Sequence, residues 1–373
     1  SQLQKINKYF DEQNIRQNKS KLKLILHLIS KISNHYHRSS DSINKIEKIL
    51  KILKNDIISK FKNSHIFNIF KSNKRILLFL FEEKILIPNK YLSTILMKKE
   101  YKDRSYHQYF YKEFEPFFDE TFCDEITSNN PEVNEFDSEF FLQKRRKGEN
   151  DRKICQIIQN DSIDEFVNFT NENNFSLSSI IEPSIYETNS FLLKNNPSLI
   201  EYSAFCGSIQ ILNYLYKNEI ELKPSLWLYA IHSQNMELIH LLEEKHVEPP
   251  KNECYNESIK CHHVSIMNYI KSNFFNKKNE NEEEEIDDDC CFFHQSLEFY
   301  NFIDLCNNEN AIDDSEISFL FYFFCKNDYI DIVNFLLKDE ELKMNSRIIL
   351  KLFFLNRVHK SNVIYYISNL FMF

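Results

Sequence analysis

Glycine is almost missing from this chain, which has 2 glycines in 373 residues, Gly148 and Gly207. Nucleotide-binding loops need several glycines, because their backbone adopts positive φ angles or lies directly against phosphate. Neither a G-x-G-x-x-G fingerprint nor a Walker loop can therefore occur, and the Rossmann and P-loop classes are excluded. The G-x-S-x-G elbow of the α/β-hydrolases is missing as well.

Long apolar runs are also missing. The run Ile-Leu-Leu-Phe-Leu-Phe at 76–81 is far shorter than the roughly 18 to 20 residues of a transmembrane helix. No signal-peptide pattern opens the sequence, and the nine cysteines are scattered and odd in number. This usage indicates reduced thiols, so we expect an intracellular and cytoplasmic location.

Charge is unevenly distributed along the chain. The net charge is −9, yet residues 1–75 carry 17 Lys or Arg against 5 Asp or Glu, which leaves them at +12 and the remainder at −21. The sequence therefore predicts a basic helical head and an acidic body, with fields of opposite sign.

An eight-residue phrase recurs along the second half of the chain. It reads small or polar, apolar, polar, apolar, apolar, polar, aromatic or Leu, apolar. Its second position falls at intervals of 27, 28, 33 and 33 residues, and a weaker copy begins near Asp161. The copies are SIQILNYL from Ser208, NMELIHLL from Asn235, HVSIMNYI from His263, SLEFYNFI from Ser296 and YIDIVNFL from Tyr329.

The segment before each phrase repeats too, with Pro-Ser-Leu at 197–199 and again at 224–226. Apolar residues at steps of three and four predict two short helices per repeat, each with one apolar stripe. Ser198 and Ser225 are the expected N-caps, and Trp227 is an expected core residue. One pair cannot bury both stripes, so neighbouring pairs must stack.

These residues resemble the ankyrin repeat, whose second-helix signature is similar to Gly207-Ser208-Ile209-Gln210-Ile211-Leu212 and to 236–239. The stretch 197–270 resembles a domain of degenerate ankyrin units found in expanded families of parasitic protists, and 28–87 resembles the leader of that family. The T-P-L-H opening and the usual hairpin glycines are replaced, so we expect shortened hairpins.

The predicted fold is all-α, an ankyrin-like solenoid of helix pairs with divergent repeats and a helical N-terminal cap. We predict a basic helical leader at 1–126, a linker at 127–150 and degenerate repeats at 151–373. A charged segment at 276–289 (NKKNENEEEEIDDD) is an expected disordered insertion.

The resemblance implies a non-catalytic scaffold that binds other proteins, with no cofactor and no metal. By the same resemblance, the contacts would come from the ends of the first helices and the turns after them. The implied partner-binding residues are Phe205, Cys206, His232, Ser233, Lys260, Cys261, Lys326 and Asn327.

Three alternatives stay open at this level. The basic N-terminal helices could bind nucleic acid or an anionic membrane surface. Lysines opposite an apolar stripe are, however, also usual on the solvent-exposed face of an amphipathic helix. Cys254, Cys261, His262 and His263 lie close in sequence but lack the paired spacing of a zinc site. An enzyme with an unfamiliar site is the third alternative.

Overall fold

The computed structural model describes residues 2–35, 40–102, 105–128, 138–275, 294–301 and 323–324. The fold of this part of the chain is all-α, as predicted, and its one β-type pairing is an isolated antiparallel bridge between Ile180 and Ser198. None of its helices combines the length and the apolar character needed to cross a bilayer.

The helices are short and follow one another closely. In chain order they are α1 Gln2–Glu12, α2 Lys19–His35, α3 Ser40–Ile52, α4 Lys54–Lys60, α5 Asn63–Phe70, α6 Lys74–Glu82, α7 Lys90–Leu96, α8 Lys99–Lys102, α9 Tyr106–Tyr109, α10 Tyr111–Phe114, α11 Glu120–Ser128, α12 Glu139–Lys147, α13 Lys153–Gln159, α14 Ile163–Glu172, α15 Ser190–Asn195, α16 Leu199–Cys206, α17 Ile209–Lys217, α18 Leu226–Ser233, α19 Met236–Glu244, α20 Lys251–Cys261 and α21 Val264–Ile270. A 3-10 turn spans Glu115–Phe117, a π turn spans Lys271–Phe275, and residues 294–298 are helical.

The chain forms two compact units. Unit 1 comprises Ser1–Ile32, Asp41–Asp56 and Lys251–Phe373, and unit 2 comprises Ser33–Ser40 and Ile57–Pro250. The predicted boundary between a leader at 1–126 and repeats at 151–373 does not coincide with this division. The reason is visible in unit 1, where the His27 ring stacks on the Tyr300 ring at 5.7 Å and the Lys31 ammonium lies 4.5 Å from the Phe299 ring centroid.

Unit 2 stacks helix pairs, as the repeat predicts. The pairs are α13 with α14, α16 with α17, and α18 with α19; first helices pack on first helices, and α14 packs on α17. The predicted stripe of the third pair is confirmed, since Leu226, Trp227, Ala230 and Ile231 are all fully buried. Burial of these stripes between neighbouring pairs supplies the core of the stack.

The turns of the repeats adopt the left-handed conformation with almost no help from glycine. The first helices α13, α16, α18 and α20 are each followed closely by a residue of positive φ, and so are the second helices α14, α17 and α19 and helix α6. The first set is Asp161 (48°), Gly207 (74°), Gln234 (56°) and His262 (56°), and the second is Lys84 (56°), Asn174 (48°), Glu219 (63°) and His246 (55°). The degenerate repeat is therefore regular in its backbone where its side chains have diverged.

The recurring phrase begins second helices at three of its predicted places, since α17, α19 and α21 start at its second position. The fourth copy, from Ser296, is wrong as a second helix. Ser296 is fully buried, and Tyr300 has a φ of 60° with Asn301 N–H donating to the Ser296 carbonyl. Ser203 and Ser258 hold the same place in their first helices. Asn301 also bonds to the Ile259 carbonyl as Ser208 bonds to that of Ile158, so SLEFYN closes a first helix. The copy from Tyr329 and the insertion at 276–289 lie outside the described residues.

At two places a polar residue just after a first helix makes a side-chain hydrogen bond to an earlier helix, a role that the sequence pattern did not predict. Ser208 Oγ donates to the Ile158 carbonyl at the end of the preceding first helix, and in unit 1 Asn301 Nδ2 donates to the Ile259 carbonyl at 3.0 Å. Each hydrogen bond ties the end of one first helix to the C-terminal end of the first helix in the preceding pair, where carbonyls lack a partner within their own helix.

The predicted linker at 127–150 is wrong over its second half, because α12 spans Glu139–Lys147 there. Ser138 caps this helix by accepting from Phe141 N–H, and Gly148 ends it with a φ of 71°. Phe141 and Arg145 are buried, so this helix belongs to the core of unit 2.

Candidate functional site

The predicted partner-binding residues of unit 2 are mostly covered by unit 2 itself. Phe205, His232 and Ser233 are buried, and Cys206 is partly buried. The ring of Phe191 lies 4.2 Å from the His232 ring and 6.4 Å from the Phe205 ring. Phe191 belongs to α15, a helix with no counterpart in the pairs that follow, and it covers the ends of the first helices.

The predicted residues of unit 1 differ from one another. Lys260 is partly exposed, pairs with Glu257 at 3.0 Å and lies 5.7 Å from the Phe299 ring centroid. Cys261 is fully buried. Lys326 and Asn327 lie outside the described residues. Phe205, His232 and Ser233 in unit 2 and Cys261 in unit 1 are buried, so neither unit presents its described members of this set as an open surface. Partner binding by the eight residues stays a prediction.

The thiols and histidines considered for zinc have structural surroundings. Burial raises the pKa of the Cys254 and Cys261 thiols well above the usual range. Burial also lowers the pKa of His262 to about 4, and its Nε2 lies 2.9 Å from the Phe299 carbonyl oxygen. The neutral ring therefore donates to this carbonyl, and the buried thiols are not activated as thiolates.

Several basic side chains of the N-terminal region form ion pairs within unit 1. Arg16 makes ion pairs with Asp11 and Asp56, each at 3.0 Å. Lys45 pairs with Asp41 at 2.7 Å along the same helix. Arg16 and Lys45 therefore pair with carboxylates of this chain, as is usual on the surface of an amphipathic helix.

An open groove lies on the opposite edge of the repeats, between the loops that precede α16 and α18. Its volume is about 470 Å³. We call it the loop groove; it is lined by Leu177, Ser178, Ile180, Asn196, Ser198, Ile200, Glu201, Glu219, Ile220, Glu221, Lys223 and Leu226. All of these residues belong to unit 2.

The extra length of one repeat builds one wall of the loop groove. From Ile163 to Ile209 the chain takes 46 residues, whereas Ile209 and Met236 are 27 apart. The added residues form a turn at 176–179, an extended segment at 180–183 and helix α15. This long interval is the signal in the sequence that could have located the groove, but the segment has no periodicity from which its side chains could be placed.

A short backbone pairing holds the extended segment against the start of α16. Ile181 N–H donates to the Pro197 carbonyl at 2.7 Å, and Leu199 N–H donates to the Ser179 carbonyl at 3.1 Å. Ile180 therefore faces Ser198 across the bridge, and their side chains lie on one face of the pairing. That face lines the groove, and the Ile180 side chain is 61% exposed there.

The floor of the groove is polarised by a fixed carboxylate. Glu201 accepts from the Ser198 N–H at 2.9 Å and the Ser198 hydroxyl at 2.8 Å, which forms a capping box at the start of α16. It also accepts from the Ser225 hydroxyl at 2.8 Å. Ser198 is an N-cap as predicted, while Ser225 is not, since its φ and ψ are helical and its side chain turns to Glu201.

The rim of the groove is acidic. Glu219 and Glu221 are exposed, and Lys223 is the one basic residue in its lining. Glu219 carries the positive φ that ends the turn after α17, where the ankyrin pattern has a glycine-containing hairpin. The arrangement can accept an apolar side chain beside a cationic one; it contains no thiol or imidazole.

No protein-family model matches the chain, and neither a curated protein nor a solved structure shows significant similarity to it. The likeness to ankyrin repeats therefore depends on the residue pattern.

Proposed function

We propose that this chain is a non-catalytic protein-interaction module of ankyrin type that binds its partner in the loop groove. The observation that supports this most directly is the exposure of Ile180 in a groove that is also lined by Ile200, Ile220 and Leu226 and whose rim carries Glu219 and Glu221. An exposed apolar side chain inside a concave, partly polar surface is a usual feature of binding sites.

The stack of helix pairs supports the proposal in a second way. Short helix pairs joined by tight left-handed turns give a rigid frame, and binding residues commonly lie on loops that such a frame positions. The loop groove is built from three such loops, namely 176–183, 196–198 and 219–223, held by the Glu201 hydrogen bonds. A rigid groove loses little conformational entropy on binding.

Selection of peptides tests this function without knowledge of the natural partner. The full chain is immobilised and a random peptide library is displayed to it; the affinity of each enriched peptide is then measured by fluorescence anisotropy. We expect peptides whose binding is lost in the double variant Glu219→Lys and Glu221→Lys.

The matched control is the double variant Asp124→Lys and Glu125→Lys. It makes the same change of charge on exposed residues of α11, away from the groove. Peptides that bind equally to both double variants, or a selection that enriches none, would contradict the proposal.

A further inference from the structure

The backbone of Ile180 has an unused edge. In an antiparallel pairing, successive residues direct their N–H and C=O groups to opposite edges. Ser179 and Ile181 bond inward, to Leu199 and Pro197. Ile180 consequently directs its own N–H and C=O to the outer edge, where neither group makes a hydrogen bond within the described part of the chain.

The residues on either side limit this edge. Residues 176–179 form a turn, in which the Ser179 N–H donates to the Ser176 carbonyl at 3.1 Å, so the extended backbone begins only after it. The Glu182 carbonyl is already bonded by Asn150 Nδ2 at 2.9 Å, which fixes one end of the segment to the core of unit 2. Pro183 follows and cannot donate. The open edge is therefore short and centred on Ile180.

We propose that the loop groove binds an extended peptide that adds a strand to this edge, with an apolar side chain and a Lys or Arg two residues apart. The inference rests on the proposed function and names the partner's chemistry. Backbone pairing to an exposed edge supplies affinity that does not depend on sequence, and pockets for alternate side chains supply the specificity.

The positions of the groove residues determine which side chains the peptide carries. A residue that pairs beside Ile180 directs its side chain to the face shared by Ile180 and Ser198, and this face lines the groove. Leu177, Ile180 and Ile220 offer apolar contact to that side chain. The next side chain on the same face comes two residues along, since strand side chains alternate.

Charge selects the second side chain. The groove lining holds three glutamates and one lysine. Glu201 is occupied by its hydrogen bonds to Ser198 and Ser225, so Glu219 and Glu221 are the carboxylates at the exposed rim. A cationic side chain of the peptide complements them, and an acidic one is repelled.

The test uses the peptides selected on the full chain. We expect enrichment of Lys or Arg two residues from Leu, Ile or Val. A scan in which each peptide amide is N-methylated in turn should show one sensitive amide, the one that donates to the Ile180 carbonyl, because Ile180 is the residue whose backbone groups face the open edge. N-methylation of an amide that bonds to the protein should raise the Kd of the peptide roughly three- to tenfold, the range expected for the loss of one net hydrogen bond.

A substitution in the protein provides the second measurement. Ile180→Pro removes the outward N–H while leaving the inward bonds of Ile181 and Leu199 in place. We expect weaker peptide binding by a similar factor, with unchanged thermal unfolding. If Ile180→Pro unfolds the chain, the N-methyl scan on the native protein tests strand addition by itself.

Two results would overturn the inference, and they differ in meaning. Peptides that need Glu219 and Glu221 but have no amide that is sensitive to N-methylation would refute strand addition and leave the interaction function intact. Peptides with such a sensitive amide but no preference for Lys or Arg would refute the selection by charge. A selection without any groove-dependent peptide would overturn both the inference and the proposed function.

Discussion

Arg145 and Glu113 form a bidentate ion pair inside unit 2, with Nη1 2.8 Å from Oε2 and Nη2 3.1 Å from Oε1. The Arg145 side chain is 1% exposed, and its Nη1 also donates to the Tyr109 carbonyl at 2.8 Å. The guanidinium carbon lies 5.0 Å from the Phe141 ring centroid. The pair joins α10 to α12, two helices that the sequence alone did not connect.

Removal of one partner of this pair should be costly. Glu113→Ala leaves a buried guanidinium without its carboxylate, so we expect the free energy of unfolding to fall by about 3 kcal/mol. The measurement is urea denaturation followed by circular dichroism. The control is Lys153→Ala, which breaks the exposed pair with Glu165 and should cost less than about 1 kcal/mol. Equal losses in the two variants would contradict a buried role for the Arg145 pair.

Two equivalent turns should respond to opposite substitutions. Gly207 has a φ of 74° and Gln234 a φ of 56° at the same place in successive repeats. Gly207→Ala should destabilise the chain by about 1 kcal/mol, while Gln234→Gly should stabilise it by up to about 1 kcal/mol, because glycine alone adopts this conformation without strain. Thermal unfolding of the two variants measures both signs. Shifts of the same sign would contradict the equivalence of the turns.

The buried His262 should make stability depend on pH. Its pKa is lowered to about 4 in the folded chain, from an ordinary value of 6.5, so the unfolded chain binds the additional proton between these values. Stability is therefore fully present above pH 6.5 and is lost as the pH falls toward 4, at up to roughly 1.4 kcal/mol per pH unit. His27, whose pKa is also lowered to about 4 by burial and by Lys23 and Lys31, acts in the same direction.

The substitution His262→Gln isolates this contribution. The glutamine amide can still donate to the Phe299 carbonyl but takes up no proton, so the loss of stability between pH 6.5 and 4.5 should become shallower. His65→Gln on the exposed face of α5 is the control, since that ring is in solvent in either state. An unchanged pH slope in His262→Gln would show that this ring is not buried as a neutral group.

Trp227 reports on the stack directly, because it is the only tryptophan of the chain. It is fully buried, and its Nε1 donates to the Val247 carbonyl at 2.8 Å. Its emission should shift to longer wavelength on unfolding. Trp227→Phe should cost about 1 to 3 kcal/mol, since the buried carbonyl loses its donor, and circular dichroism measures this variant. A loss no larger than that of an exposed substitution would contradict the contact.

Features of the fold that depend on contacts between residues close in sequence could be predicted, and those that depend on distant residues could not. The stripe of α18 and the N-cap at Ser198 depend on residues close in sequence, and the pattern predicted both. Arg145 is held by Tyr109 and Glu113, more than thirty positions away, and the Phe141 ring packs against that of Tyr186, so 127–150 resembled a linker. The fourth phrase was misplaced because its residues suit either helix. The two are separated by the hydrogen bond from Asn301 to the Ile259 carbonyl, which is the counterpart of the bond from Ser208 to Ile158.

The candidate site was harder to predict than the fold, for a related reason. The family resemblance pointed to first-helix ends such as Phe205 and His232, and it carried no information about the aromatic ring of Phe191 that covers them. Ile180 lies in a segment without periodicity. Its importance comes from an unpaired backbone edge, which side-chain patterns do not reveal.

The composition of unit 1 has a consequence for how the chain is made. Helices α1 to α3 are synthesised well before α20 and α21, although most of their residues belong to the same compact unit. The contact of His27 with Tyr300 cannot form until the whole segment between these two residues has been translated. During that interval the side chains of α2 that pack against Phe299 and Tyr300 are uncovered, so a chaperone that shields them would favour correct folding of the nascent chain.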